Sequence, residues 1–203
     1  MSDEFKTIKD KSEGTYTELR SKFLAFAHPV RTVEEAKALV DEYRKKYYDA
    51  RHVCWAYMLG HERLLFRSND DGEPSGTAGK PILGQINSRE LTDILVIVVR
   101  YFGGVKLGTS GLIQAYRAAT IEALDAAEIV ERQVEQEIDI RFDYLQMNAV
   151  MRVVKEEQPT VVNQQFDNSC TMTLSIRASL MPRLRERLSK VEGMNFLDDE
   201  LSE

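Results

Sequence analysis

Histidine and cysteine are scarce in this chain of 203 residues, at three and two copies. Two cysteines make no disulfide framework, and the five residues together supply no close-spaced ligand set for a zinc ion. Cys54 and Cys170 fall in different predicted domains, so both are expected to be reduced and packed as small hydrophobes. Long apolar runs are also missing. The longest strongly apolar stretch is Ile94–Val99, far too short to span a bilayer. The opening MSDEFKTIKDKSEG contains no apolar segment of signal-peptide type, so a cytoplasmic location is expected and no membrane partner. An excess of positive charge is absent as well. Residues 1–132 hold 19 basic and 20 acidic side chains and residues 133–203 hold 8 and 13, which gives 27 against 33 and a net charge of −6. Neither part is a basic module, so duplex DNA is excluded as a partner held by bulk charge. Any anion recognition has to come from local geometry. Internal repeats and low-complexity tracts are lacking too.

What is present is enough to build a core: 43% hydrophobic and 30% charged residues. Thr15–Val30 reads as one or two strands, and its run Phe23-Leu24-Ala25-Phe26 is too dense to assign a face. Thr32-Val-Glu-Glu35 is a capping box, opening a helix with Ala36, Leu39, Val40, Tyr43 and Tyr47 on one stripe. His52–Leu59 and Leu64–Arg67 read as a hairpin. Thr92–Tyr101 is a nearly continuous apolar strand, predicted to be covered on both faces. Thr109–Ala127 reads as a long helix with Leu112, Ile113, Tyr116, Thr120, Ala123, Leu124 and Ala127 turned inward. Beyond a charged stretch at Ile129–Gln133, the order is strand Glu135–Phe142, helix Tyr144–Glu156, hairpin Val161–Phe166 and Cys170–Ala178 around Asp167-Asn168-Ser169, a helix capped by Ser179 and closed by Gly193, and a short strand Asn195–Leu197. That βαββαβ order is ferredoxin-like. The predicted class is α+β, with domains at residues 1–131 and 132–203.

Two loops concentrate the glycine. Asn69–Pro81 and Arg100–Gly111 together hold seven of the eleven glycines. Each is predicted to leave a strand and enter a helix, where free backbone amides and the helix dipole favour an anion. The candidate ligand-binding residues are Ser75, Gly76, Thr77, Gly79 and Lys80 in the first loop. In the second they are Arg100, Tyr101, Phe102, Gly103, Gly104, Lys106, Gly108, Thr109, Ser110 and Gly111, with Arg117 on the helix that follows. A single anion-accepting cleft formed jointly by both loops is the expectation, against the plainer reading that these glycines only permit tight packing. Neither loop is a Walker A motif or a G-x-G-x-x-G, so a nucleotide kinase and a Rossmann dehydrogenase are not supported. Asp70, Asp71 and Glu73 either shape a turn or, with substrate phosphate, hold Mg²⁺; no other cofactor is expected. His52 shares a strand face with Cys54 and is either structural or a proton-transfer group. Tyr101 and Phe102 are core residues or, if a ring is exposed, a base-stacking surface.

Three long blocks carry a family resemblance: Asp49–Tyr57 (DARHVCWAY), Ser68–Leu83 (SNDDGEPSGTAGKPIL) and Val99–Arg117 (VRYFGGVKLGTSGLIQAYR). In this order they resemble the YigZ/IMPACT family over most of residues 15–130. The resemblance implies an N-terminal α/β sandwich like the ribosomal-protein domain-2 superfamily, which includes domain IV of elongation factor G. It implies a C-terminal ferredoxin-like domain similar to domain V of that factor. Eukaryotic relatives act in translational control, interfering with activation of a starvation-sensing kinase through its ribosome-associated activator. Their arrangement includes a further N-terminal domain not expected here, so that pathway is not carried over. Three functions stand at this point. The first is an RNA- or ribosome-associated binding protein in translation regulation, with structured RNA or the ribosome as partner and a phosphate-bearing ligand in the loops. The second is an enzyme acting on a phosphorylated small molecule or nucleotide, with His52, Asp71 and Glu73 as the weak catalytic candidates. The third is a protein-interaction module. The binding protein is placed first on the pair of amide-rich, lysine-bearing loops, with the resemblance to ribosome-bound domains as support by analogy.

Overall fold

The computed structural model describes residues 3–167 and 169–197. It divides into two compact units, one of Glu4–Arg132 and one that contains Asp3 and the described residues from Gln133 onward.

The first unit is built on a five-stranded antiparallel sheet. In chain order its strands are β2 (Ser12–Glu18), β3 (Ser21–Pro29), β4 (His52–Leu59), β5 (Leu65–Asn69) and β6 (Ile94–Tyr101). The spatial order is β2-β3-β6-β4-β5. Helix α1 (Val33–Lys46) covers one face, packing Ala36, Val40 and Tyr43 on Phe26, Trp55, Tyr57, Leu95 and Ile97. Helices α2 (Gly79–Ser88) and α3 (Gly108–Asp125) cover the other, against Phe23, Ala25, Cys54, Ala56, Val96 and Val98. The apolar density of β6 follows, because it is a central strand with both faces buried. The density of Phe23-Leu24-Ala25-Phe26 has the same cause.

Three expectations change in this unit. Thr15–Val30 is two paired strands beginning earlier, at Ser12. They turn at Leu19 and Arg20, which both adopt positive φ (43° and 64°). Those are the dihedrals a tight hairpin requires, supplied here without the usual Asn or Gly. The charged stretch at Ile129–Gln133 is a strand, β7, paired with β1 (Glu4–Ile8). Flanking backbone bonds extend the pairing, Lys9 N–H to Glu128 O at 2.9 Å and Val134 N–H to Asp3 O at 2.7 Å. On α3, Ile113 is only half-buried, while Ala115 and Ala119 join the buried stripe.

The second unit contains β8 (Glu135–Phe142), α4 (Met147–Glu157), β9 (Thr160–Phe166), β10 (Cys170–Arg177), α5 (Met181–Ser189) and β11 (Asn195–Phe196). The antiparallel sheet order β11-β8-β10-β9 places the first strand beside the last, as the ferredoxin-like reading requires. Ile138, Ile140, Phe142, Met172 and Leu174 meet Val150, Leu184 and Leu188 in its core. Two short 3₁₀ turns, Tyr144–Gln146 and Ala178–Leu180, precede the helices, so Ser179 lies inside a turn rather than capping α5. Gly193 has φ +82° but lies beyond the end of α5. Of the predicted turn Asp167-Asn168-Ser169, Asn168 lies outside the described residues.

Candidate functional site

The site grows from the paired ends of β4 and β6. Cross-strand register sets His52 opposite Arg100 and Cys54 opposite Val98. Period-two alternation turns His52 and Cys54 toward α3. Between β5 and α2 the chain runs through Asp70–Ala78, and this loop brings Glu73 beneath the sheet end. Glu73 Oε1 accepts from Arg100 Nη1 at 2.6 Å and from the Tyr116 hydroxyl at 2.8 Å. All three residues are buried. Glu73 Oε2 lies 3.8 Å from His52 Nε2. On its other side, His52 Nδ1 lies 2.7 Å from the Asp71 carbonyl. A carbonyl only accepts, so Nδ1 carries the proton, and a neutral ring presents Nε2 as a proton acceptor.

The loop is fastened by its own carboxylates. Asp70 accepts from the amides of Gly76 (2.8 Å), Ala78 (3.1 Å) and Gly79 (2.8 Å). Burial pushes the Asp70 carboxyl up. The Gly76, Gly79 and Ala78 amides and the charge of Lys80 outweigh this and hold it below the ordinary aspartate range. Asp71 accepts from the Val53 amide at 2.7 Å and from Arg44 at 3.0 Å. Cys54 Sγ lies 3.0 Å from the Asp70 carbonyl and 3.3 Å from the Tyr116 hydroxyl. Burial pushes both the Cys54 thiol and the Tyr116 phenol far up, so each stays protonated at neutral pH. Cys54 and Cys170 are both buried and free.

These bonds correct the expectation for the first loop. The amides at the start of α2 are not offered to a ligand, because the Asp70 carboxylate already occupies them. The three carboxylates point to three different sets of protein donors, and no group of three potential metal-ligating side chains converges among the described residues. Thr77 is buried, with its hydroxyl donating to the Pro74 carbonyl at 2.6 Å. Gly79 is packed so that a Cβ would stand 2.8 Å from the Asn69 amide nitrogen.

The second loop is different. No side chain caps α3, and its first turn contains no acidic residue. In front of it lies a cleft of about 380 Å³ whose lining includes Arg51, His52, Glu73, Arg100, Phe102 and Lys106. Gly108 and Thr109 also line it, and Ser110 is exposed on the same first turn. Phe102 is 46% exposed, with the Arg100 guanidinium 5.7 Å from its ring centre. Tyr101 points elsewhere and donates to Asp49 at 2.9 Å. Gly103 is a packing residue, pressed against the backbone of Arg20 and Ser21. Gly104 stands in open space at φ +90°.

The joint cleft is also corrected. Glu73 and Pro74 of the first loop reach the cleft with Lys106. Gly76, Lys80 and Arg117 instead line a separate depression beside Ile113. Ser75 is exposed and lines neither. Sequence reasoning did not assign Arg51 or Tyr116 to the site, and it read Asp70 as a turn-shaping or Mg²⁺-holding carboxylate. Tyr116 was legible only as an inward helix position, and its hydroxyl partner became known only from the packed loop.

Residues 19–124 match the Impact N-terminal domain. The chain belongs to the YigZ/IMPACT family. The IMPACT family member YvyE of Bacillus subtilis is 36% identical over 152 residues, covering 75% of this chain and 70% of that protein. The IMPACT family member YigZ of Escherichia coli is 30% identical over 174 residues, covering 84% of each. A crystal structure of a hypothetical protein superposes with a TM-score of 0.74 at 26% identity, covering 97% of this chain and 98% of that one. The Impact N-terminal match contains β4, β5, β6, α2 and all of α3 but its last residue, so the cleft lies wholly within the IMPACT region.

Proposed function

We propose that this chain is an RNA- or ribosome-associated binding protein acting in translation regulation, and that it grips phosphate at the cleft before α3. The charge balance of that cleft carries the reading. Arg51, Arg100 and Lys106 stand against the single carboxylate of Glu73, which leaves a net charge of +2 at a site on a chain of net charge −6. The Glu73 charge is neutralised by Arg100, so Arg51 and Lys106 remain to meet a phosphate. The uncapped start of α3 adds its amides and dipole. The exposed Phe102 ring supplies a stacking surface for a base. The family's resemblance to proteins of translational control points the same way. In this reading the protein works in the cytoplasm.

The test is fluorescence anisotropy with a labelled RNA hairpin, beside a DNA duplex of equal length. Arg51→Glu with Lys106→Glu is expected to weaken RNA binding at least tenfold. The salt slope should become shallower by about two, one for each lost phosphate contact. Equal affinity in the double variant would remove the cleft from the binding surface. An enzyme acting on a phosphorylated small molecule is the second reading, favoured by His52, which lines the cleft with its Nε2 3.8 Å from Glu73 Oε2. His52→Gln would then abolish turnover of such a substrate while leaving RNA affinity intact.

A further inference from the structure

Between α2 and α3 lies a depression of about 320 Å³, separate from the cleft. Gly84 and Gln85 of α2 line it with Ile113 and Arg117 of α3, and Lys80 reaches it from the first turn of α2 beside Gly76. Its polar side chains are all left to donate. Lys80 and Arg117 are exposed, and among the described residues neither has a hydrogen bond or an ion pair. Arg89 Nη1 donates to Gln85 Oε1 at 3.3 Å, so the NH₂ group is the part of Gln85 that remains to donate. Among the described residues no carboxylate lines the depression. The charge of Lys80 acts on Asp70, but that carboxylate already accepts from the amides of Gly76, Ala78 and Gly79. Even with Asp70 counted, two cations stand against one carboxylate, and Arg117 is unmatched.

The depression and the cleft are neighbours on one surface. Thr109 lines the cleft, and Ile113 and Arg117 line the depression. These three residues are four apart on α3 and form one row along its side. At 1.5 Å per residue, Thr109 and Arg117 are about 12 Å apart along the helix axis. On the loop side, Pro74 lines the cleft and Gly76 the depression, with only the exposed Ser75 between them. We propose that the depression holds a second phosphate of the same RNA chain that the cleft grips, with the backbone crossing at Ser75. This rests on the RNA-binding reading of the cleft. Two donor-only hollows about two helical turns apart fit a chain of regularly spaced anions, because a small ligand with one anionic group satisfies only one of them. A phosphate presents acceptors on several sides at once, which suits Lys80, Gln85 and the guanidinium fork of Arg117 together. A free phosphorylated compound would offer the depression the same group, so the two sources are separated by experiment.

The test is anisotropy of full-length protein with the labelled RNA hairpin. Lys80→Gln with Arg117→Gln, both at exposed positions and checked for fold by circular dichroism, should weaken binding about fivefold or more. The salt slope should become shallower by about one, for one lost phosphate contact. Lys45→Gln removes an exposed charge from α1, across the sheet, and should change affinity less than about twofold. Nothing lies within 4 Å of a Cβ built on Gly84, so Gly84→Leu fits α2 and fills the depression without altering charge. It should weaken the hairpin about threefold or more. An unchanged Gly84→Leu beside a weakened charge variant would show action at a distance and overturn the proposal. Adenosine monophosphate, added as competitor, identifies the source. The same effect on wild type and on the Lys80/Arg117 variant, including none, assigns the depression to the RNA backbone. Competition lost in the variant would assign it to a free phosphate compound and overturn the shared chain. If the Arg51/Lys106 variant weakens the hairpin and the Lys80/Arg117 variant does not, this inference fails and the cleft reading stands. If only the Lys80/Arg117 variant weakens it, or the wild type binds no RNA, the cleft reading fails and the shared chain with it.

Discussion

Glu73 is a carboxylate with 8% of its surface exposed, and Arg100 beside it is exposed by 6%. A buried pair of this kind adds little relative to a well-packed apolar pair, but losing one member leaves the other charge stranded. Glu73→Gln is therefore expected to destabilise the protein by about 3 kcal/mol in urea unfolding followed by Trp55 emission. Adding Arg100→Met should recover part of the loss, whereas an unchanged midpoint in the single variant would show that the charge is solvated. Asp70 makes the opposite contribution, because its carboxylate is stabilised by three amides. Its folded pKa is lowered, so the unfolded chain binds the proton more readily. The stabilisation is thus complete above the ordinary aspartate value of about 3.9 and is lost as pH falls through the lower folded value. Asp70→Asn should flatten the fall in stability below about pH 4 when unfolding midpoints are measured across the acid range.

At the scale of elements, glycine serves two distinct purposes. A Cβ on Gly103 would lie 2.1 Å from the Arg20 carbonyl carbon and 2.3 Å from the Ser21 nitrogen, both backbone atoms that no rotamer change can move. Gly103→Ala should cost about 3 kcal/mol, read as a lowered urea midpoint. Gly84 lies within α2 with open space where a Cβ would stand. There Gly84→Ala should add about 0.5–1 kcal/mol by reducing the freedom of the unfolded chain. The same midpoint measurement, moving in opposite directions for the two variants, separates close approach from mere flexibility. The two glycine-rich loops differ in the same concrete way. One closes its helix start on Asp70, and the other leaves its helix start uncapped beside Arg51 and Lys106.

At the scale of the whole molecule, the two compact units have separate cores, one around the α2/α3 and α1 faces of the five-stranded sheet and one in the ferredoxin-like fold. Leu174 is fully buried in the second core, and the single tryptophan belongs to the first. Leu174→Ala should destabilise residues 133–197 by about 2–5 kcal/mol, visible as faster amide exchange there. The Trp55 unfolding transition should stay in place if the units unfold independently. A matching shift in both probes would show one cooperative molecule instead.

Local pattern was enough for most elements. The alternation of β8 and β10, the apolar run of β6 and the stripe on α3 each follow from short-range periodicity, which the chain expresses wherever it folds. Of the predicted capping box only the Thr32 cap forms, because the Glu35 carboxylate accepts from the Arg31 amide instead of closing on Thr32. The ferredoxin-like order of the second unit was legible for that reason. The pairing of β1 with β7 was not, because both strands are short and mostly polar and are joined across more than a hundred residues. The glycine loops were legible as places where backbone amides gather. Which anion meets those amides was decided only in three dimensions, because Asp70 reaches the start of α2 by the path of the folded loop. Tyr116 met Glu73 only when helix, loop and sheet end came together. Sequence alone therefore determined most of the elements, their order in two units and the region of the candidate site, since these rest on neighbours along the chain. Tertiary structure alone decided which loop stays open to a ligand, since that depends on which buried donor finds which acceptor across the fold.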